Sequence, residues 1–411
     1  MRNVYDIFQE RGFIEQVTDE NMVRELLAKP ITCYIGFDPT AKSLHIGSLL
    51  PIMSLAHMQR GGHRPIVVIG GGTALVGDPS GKDELRPVMT KEEIDSNAKG
   101  IKRQLSQFID FTNGKTVMLN NADWLVSLKY IDFLRDIGRH FSVNRMLAAE
   151  SYRQRLGSGL SFLEFNYMLL QAYDFWYLSK SWNCVLQMGG NDQWGNILAG
   201  ADLTRRIERK IIHGLTFPLI TTADGSKMGK TNRGAVWLDH ELTSPYEYYQ
   251  CWVNIDDRDV KRFLSFFTFL PMHEIEELSR LTGEDLRKAK EVLAYEATKI
   301  CHGQDAADKA KSAARQLFSQ KVVKDIEAIP TYVMTSDDLG KGVEAYILFK
   351  ETGLCKTRGE ARRLISQGGA YINGKRVPSF ITVVGTDDIQ NNIILLRAGK
   401  KNYLKVYIQD P

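Results

Sequence analysis

Apolar positions along this chain keep two different periods, and the switches between them outline its elements. Residues 31–37 are an apolar, β-rich run and predict a strand; residues 46–59 predict a helix with Pro51 in its early turns, where proline is tolerated. Gly61 and Gly62 close that helix, 65–69 form a second β-branched run, and Gly70, Gly71 and Gly72 end it. Strand, helix and strand at this spacing predict a βαβ unit, hence a parallel sheet. Residues 91–149 alternate helical patterns with short loops. Residues 161–178 predict one strong helix opened by a capping box of Ser161 and Glu164, and 184–188 another strand, followed at once by Gly189 and Gly190.

Beyond Asp224 the pattern changes. Residues 246–320 keep helical spacing, 321–341 (with Pro330, Ser336, Asp337 and Asp338) read as a linker, and 345–409 as a compact α+β unit. In that unit Thr357 and Glu360 form a second capping box, on a helix stopped by Gly368 and Gly369, and Asn373-Gly374 predicts a hairpin turn.

Charge adds one asymmetry. The 411 residues are 43% hydrophobic and 25% charged, ordinary for two or three globular domains. Net charge is +4, yet residues 342–411 hold 11 Lys/Arg against 6 Asp/Glu, so the basic excess lies there. That suits an anionic partner, or equally a solvated basic surface. The five cysteines are scattered, odd in number and without metal-ligand spacing, so neither a disulfide framework nor a structural metal is expected. No run is apolar enough to span a bilayer and no signal-peptide core is present; the expectation is a cytoplasmic chain without a membrane partner.

Four stretches carry candidate chemistry. The first, residues 34–40 and 43–48, runs from a strand end to a helix start, the crevice where open α/β sheets bind ligands. There His45 can donate to a phosphate oxygen near a helix N-terminus, and Gly47 lets an adenine ring approach the backbone; a capped helix with a surface histidine reads the same way. The second, residues 225–231, sets Lys227 and Lys230 in a glycine-rich loop suited to a pyrophosphate-like leaving group, or to a plain basic surface. It misses a Walker A loop by one residue, with Asp224 where the first glycine belongs. The third is a polar stripe, Tyr167, Gln171 and Asp174, on one face of an otherwise apolar helix; buried polar groups need partners, either protein or a small polar ligand. The fourth, residues 187–195, ends a strand at two glycines and presents Asp192 and Gln193, suited to a ribose hydroxyl or to a helix cap.

In this order and spacing, with 70–82, Gly234 to Asp239 and Thr243 to Tyr246, these stretches resemble bacterial tyrosyl-tRNA synthetases of class I. The resemblance implies an α/β fold: a Rossmann-type catalytic domain with a helical insertion over 1–220, a lysine loop and helical tRNA-binding domain over 221–325, a linker over 326–341, and a small basic RNA-binding domain over 342–411. It implies L-tyrosine, ATP with Mg2+, and tRNA(Tyr) as partners, and a homodimer formed near residues 130–146. Tyr34 and Asp174 would hold the phenol hydroxyl, Asp78, Tyr167 and Gln171 the ammonium, and Gln193 the carbonyl. ATP would meet Gly36, Asp38, His45, Gly47, Gly190 and Asp192, with Ser48, Lys82, Arg86, Lys227, Lys230 and Thr231 around its polyphosphate. Lys356, Arg358, Arg362, Arg363, Lys375 and Arg376 would meet tRNA phosphates. No protein-caged metal and no editing domain are implied.

The sequence departs from the family pattern at Ser48, where a second histidine is usual, and at Ile35 and Pro51, where polar residues often touch the nucleotide. A tryptophanyl-tRNA synthetase, a non-catalytic RNA-binding protein on the same scaffold and a small nucleotidyltransferase are the alternatives. The pairing of Tyr34 with Asp174 speaks against the first, since indole offers one donor.

Overall fold

The computed structural model describes residues 2–80, 89–157, 159–226, 228, 230–231, 234–318, 329–390, 392–399 and 402–409; at 113, 230–231 and 316–318 it describes the backbone alone. Two compact units divide the chain: Met1–Leu242 with Asn254–Cys301, and Thr243–Val253 with His302–Pro411. This division differs from the one expected at 220, 325 and 341. In the first unit the buried Arg11 guanidinium donates to the carbonyls of Ser265 (2.8 Å), Thr268 (2.9 Å) and Leu270, which ties the helix Val260–Phe267 to the N-terminal helix. In the second, Tyr246 on the helix Pro245–Val253 packs with Ala313 and Ile329.

The first unit holds helix α1 (Val4–Arg11), strand β1 (Gln16–Val17), β2 (Thr32–Phe37), α2 (Leu49–Arg60), β3 (Arg64–Ile69), α3 (Lys91–Leu105), β4 (Val117–Asn120), α4 (Tyr167–Trp182), β5 (Cys184–Gly190), α5 (Trp194–Glu208) and β6 (His213–Phe217). Its sheet runs β1-β6-β5-β2-β3-β4, parallel except for the antiparallel edge pair β1/β6. That is the Rossmann-type, parallel-sheet α/β core expected. Cys33, Ile66, Val67, Val68, Leu186 and Leu215 are buried along the central strands, as β-branched and apolar runs require when both faces are covered. Pro51 is the third residue of α2, so its missing N–H falls among donors that have no intrahelical acceptor. A short 3-10 turn, Ile46–Ser48, precedes α2.

The helix expected over 161–178 is two. The capping box forms, but Phe162–Phe165 ends at Asn166, whose side chain donates to Phe162 O at 2.7 Å, and α4 starts afresh at Tyr167. Local competition of this kind is why asparagine sits poorly inside helices. Glu164 also closes a buried ion pair with Arg155 at 3.0 Å.

The second unit contains a five-stranded sheet of β7 (Thr331–Thr335), β8 (Ala370–Ile372), β9 (Lys375–Arg376), β10 (Ile393–Ala398) and β11 (Asn402–Gln409), in the order β9-β8-β10-β11-β7. Only β11 and β7 pair in parallel. Residues expected as a linker thus supply an edge strand: Met334 is buried in the core of this unit and Tyr332 packs on it. Asn373 and Gly374 both have positive φ, 47° and 80°, the hairpin geometry their sequence predicts. Thr357 caps the helix Arg358–Ser366 through Glu360 N, while Glu360 accepts from Lys356 N.

Candidate active site

The carboxyl ends of β2 and β5, the loop after β3 and one face of α4 enclose a cavity of about 380 Å³ in the first unit. Of the residues singled out from sequence, Tyr34, Gly36, Asp38, His45, Gly47, Ser48, Asp78, Tyr167, Gln171, Asp174, Gly190, Asp192 and Gln193 all line it. Lys82, Arg86 and Lys227 lie outside the described residues. For Lys230 and Thr231 the backbone is described: it pairs with Gly234–Ala235 in a two-stranded ladder.

At the cavity's deep end Asp174 is 3% exposed. Its Oδ1 accepts from Trp124 Nε1 at 2.7 Å and its Oδ2 from Asn121 Nδ2 at 2.9 Å. Burial pushes the Asp174 carboxyl up to about 7, against those two hydrogen bonds and with help from Asp38. Tyr34 is 2% exposed beside it, and among the described residues its hydroxyl has no hydrogen-bond partner. Burial, then the Asp174 charge, holds the Tyr34 phenol well above its ordinary range. Two further buried polar atoms on the cavity wall, Ser80 Oγ and Gln187 Oε1, are likewise without a partner among the described residues. Orphaned polar groups inside a protein are costly, and three around one cavity mark a place built for a polar ligand.

A hydrogen-bond chain runs from Asp174 to Asp38. Asn121 Nδ2 also donates to Thr73 Oγ1 (3.0 Å), Thr73 Oγ1 donates to Asp38 Oδ1 (2.9 Å), and Tyr167 Oη donates to Asp38 Oδ2 (3.1 Å). Gly70 makes the approach possible, since a Cβ there would lie 2.0 Å from Asp38 Oδ1. Asp78 accepts from Ser80 N at 2.9 Å and from Gln193 Nε2 at 2.7 Å. Asp38 and Asp78 therefore offer two carboxylates on the cavity wall, suited to an ammonium group.

Near the outer end, His45 Nδ1 accepts from Gly47 N at 2.9 Å. A neutral imidazole so bonded carries its proton on Nε2, which makes that atom the donor expected for phosphate. Gly47 has a nearer reason to be glycine than an adenine ring: a Cβ would meet the His45 ring at 2.6 Å. Gly190 lies as close to Asp192, whose Oδ1 would be 2.7 Å from a Cβ.

Sequence reasoning missed Asn121, Trp124 and Thr73. The partners of Asp174 come from 50 and 53 residues away, and no periodicity links them to the stripe on α4.

In the second unit Lys356, Arg358, Arg362, Arg363, Lys375 and Arg376 are all exposed, and among the described residues none forms an ion pair. The Arg362 guanidinium sits over the Tyr346 ring at 4.2 Å and near Phe380 at 5.4 Å. Charges left uncompensated on one small unit are what phosphate contacts need.

Two family models match the chain: class I tRNA synthetases (W and Y) over residues 27–319, and the tyrosine–tRNA ligase SYY-like C-terminal domain over 322–406. A tyrosine–tRNA ligase of Syntrophus aciditrophicus is 56% identical over an alignment of 426 positions covering all of both chains. Another, of Desulfosudis oleivorans, is 57% identical with 99% of each chain covered. The crystal structure of a C-terminally truncated mitochondrial tyrosyl-tRNA synthetase of Aspergillus nidulans is similar at a TM-score of 0.70 and 32% identity, over 77% of this chain and 95% of that one. These matches do not favour the tryptophanyl or non-catalytic alternatives. The chain belongs to the tyrosine–tRNA ligases, within the class I aminoacyl-tRNA synthetases.

Proposed function

We propose that the cavity binds L-tyrosine with its phenol at Tyr34 and Asp174 and its ammonium at Asp78, Tyr167 and Gln171. The chain attaches tyrosine to tRNA(Tyr) with ATP, through a tyrosyl-adenylate, releasing pyrophosphate and AMP. One observation carries the pocket assignment: an orphaned, buried tyrosine hydroxyl beside a buried carboxylate that two protein donors already orient. A phenol gives its proton to Asp174 and takes one from Tyr34; a phenyl ring leaves both groups buried and unanswered.

In the reaction the tyrosine carboxylate attacks the α-phosphate and pyrophosphate leaves. The nucleophile is already ionised, so alignment and charge stabilisation supply the catalysis. Gln193 meets the substrate carbonyl, Asp192 and the Gly190 backbone take the ribose, and Asp38 lies between ammonium and nucleotide, beside Gly36. His45 Nε2 and Ser48 donate toward the phosphates, with Gly47 beneath the adenine, and Lys82, Arg86, Lys227, Lys230 and Thr231 complete that end. Mg2+ arriving with ATP supplies charge neutralisation at the polyphosphate. The six exposed cations of the second unit hold tRNA phosphates.

We further propose a cytoplasmic homodimer. Val126, Tyr130, Ile131, Leu134, Val143 and Phe162 are apolar yet exposed, and a second copy would cover them. Among the described residues no helix is long and apolar enough to cross a membrane.

The test is amino-acid-dependent pyrophosphate exchange with tyrosine, tryptophan and phenylalanine, on wild type and Asp174→Ala. Tyrosine alone should support exchange at low concentration, and the variant should lose it. Exchange with tryptophan, or an unimpaired Asp174→Ala, refutes the assignment.

A further inference from the structure

Asn196, in the first turn of α5, is 2% exposed and is not part of the cavity wall. Its Nδ2 donates at 3.1 Å to Gln171 Oε1 and at 3.1 Å to Gln193 Oε1. Gln193 Nε2 in turn donates to Asp78 Oδ2 at 2.7 Å. The direction of this chain is dictated from one end. An ionised carboxylate only accepts, so the end of Gln193 that meets Asp78 is its NH2. Its carbonyl then turns to Asn196, which must answer with its own NH2, and the same NH2 meets the carbonyl of Gln171.

We propose that Asn196 is a positioning residue for amino-acid binding, setting which way both glutamine amides face. This rests on the reading of the cavity as the tyrosine pocket. With Asn196 in place, Gln193 keeps its NH2 turned to Asp78. When the substrate ammonium occupies Asp78, that donor is released from Asp78 to the substrate's carboxylate group. Gln171 keeps a second lone pair on its carbonyl oxygen for an ammonium N–H. The pocket thus enters binding with its donors and acceptors already sorted, and the polar partners of α-amino and α-carboxylate groups exchange within one connected set.

The proposal separates the shape of Asn196 from its polarity. Asn196→Asp keeps the shape but can only accept while ionised, so both glutamines must turn, and Gln193 then sets a carbonyl against Asp78. Asn196→Ala removes the donor without reversing it. Pyrophosphate exchange on the full-length protein, with tyrosine and ATP varied in turn, reads the difference. Asn196→Asp should raise KM for tyrosine about tenfold or more and leave KM for ATP within about twofold; Asn196→Ala should raise KM for tyrosine by a smaller factor. An alanine variant as impaired as the aspartate one, or losses that fall on both KM values alike, would overturn the relay. If Asn196→Asp does not fold, Asn196→Ala decides: an unchanged KM for tyrosine overturns the proposal. Wild type lacking tyrosine-dependent exchange would instead sink the pocket reading itself.

Discussion

Replacing Tyr34 by phenylalanine should do two opposite things to one protein. The Tyr34 hydroxyl is buried and has no partner among the described residues, so the folded, ligand-free chain carries its full desolvation penalty, about 1–3 kcal/mol. Tyr34→Phe removes that penalty with little change of shape, and the ligand-free protein should melt higher, by a few degrees for a unit of this size. In the proposed complex with tyrosine, the same hydroxyl donates to the substrate's phenol oxygen. A neutral hydrogen bond contributes about 0.5–1.5 kcal/mol net, so the variant's KM for tyrosine should rise about two- to tenfold. Phenylalanine needs no such bond, and its kcat/KM should rise relative to tyrosine. Thermal melting without ligands, and pyrophosphate exchange with both amino acids, measure the two effects. A variant that melts lower than wild type and keeps its KM for tyrosine would refute the reasoning, because the hydroxyl would then have its partner inside the protein.

Three other outcomes follow from the same structure. The Asp174 carboxyl titrates near 7 in the folded chain, above its ordinary value of 3.8, so the fold binds an extra proton between those values. Its burial therefore subtracts stability as pH rises from about 4 to 7, by up to about 1.4 kcal/mol per pH unit; melting curves of Asp174→Asn should lack that slope, and an identical slope in both proteins contradicts it. Arg155→Met leaves Glu164 charged and buried, and chemical unfolding should show a loss of about 3–5 kcal/mol, partly recovered by adding Glu164→Leu; a change under about 1 kcal/mol in the single variant would count against a buried, intact pair. Arg363→Ala should weaken tRNA charging a few-fold and flatten its salt dependence by about one contact, with tyrosine-dependent exchange unchanged; equal losses in both assays would point to damage beyond RNA contact.

What the sequence made legible was whatever is periodic or local. The βαβ unit around residues 31–69, the turn at Asn373-Gly374 and the Ser161/Glu164 capping box depend on neighbours within a few positions, and they stand where the pattern puts them; the Thr357/Glu360 box forms by half, since Glu360 takes Lys356 N. The polar stripe on α4 pointed to the cavity because three residues on one helix face share one environment. Its supports did not announce themselves: Asn121 and Trp124 lie in a loop and a short helix with no sequence link to Asp174. The break at Asn166 depends on a side chain reaching back to Phe162 O, which periodicity alone overlooks. The tie between the chain's N-terminal helix and the helix Val260–Phe267 was hidden for a similar reason, since Arg11 reaches carbonyls more than 250 residues away.

The parallel pairing of β7 with β11 sets a timetable for making the second unit. Thr331 is matched to Lys405 and Thr335 to Gln409, so the strand that leaves the ribosome early waits for one synthesised some seventy residues later. Contacts of such long sequence separation form slowly. A chain stopped before residue 402 would hold β7 and β10 with unpaired edges, and would be an invitation to sticky, non-native strand pairing rather than a merely shorter enzyme.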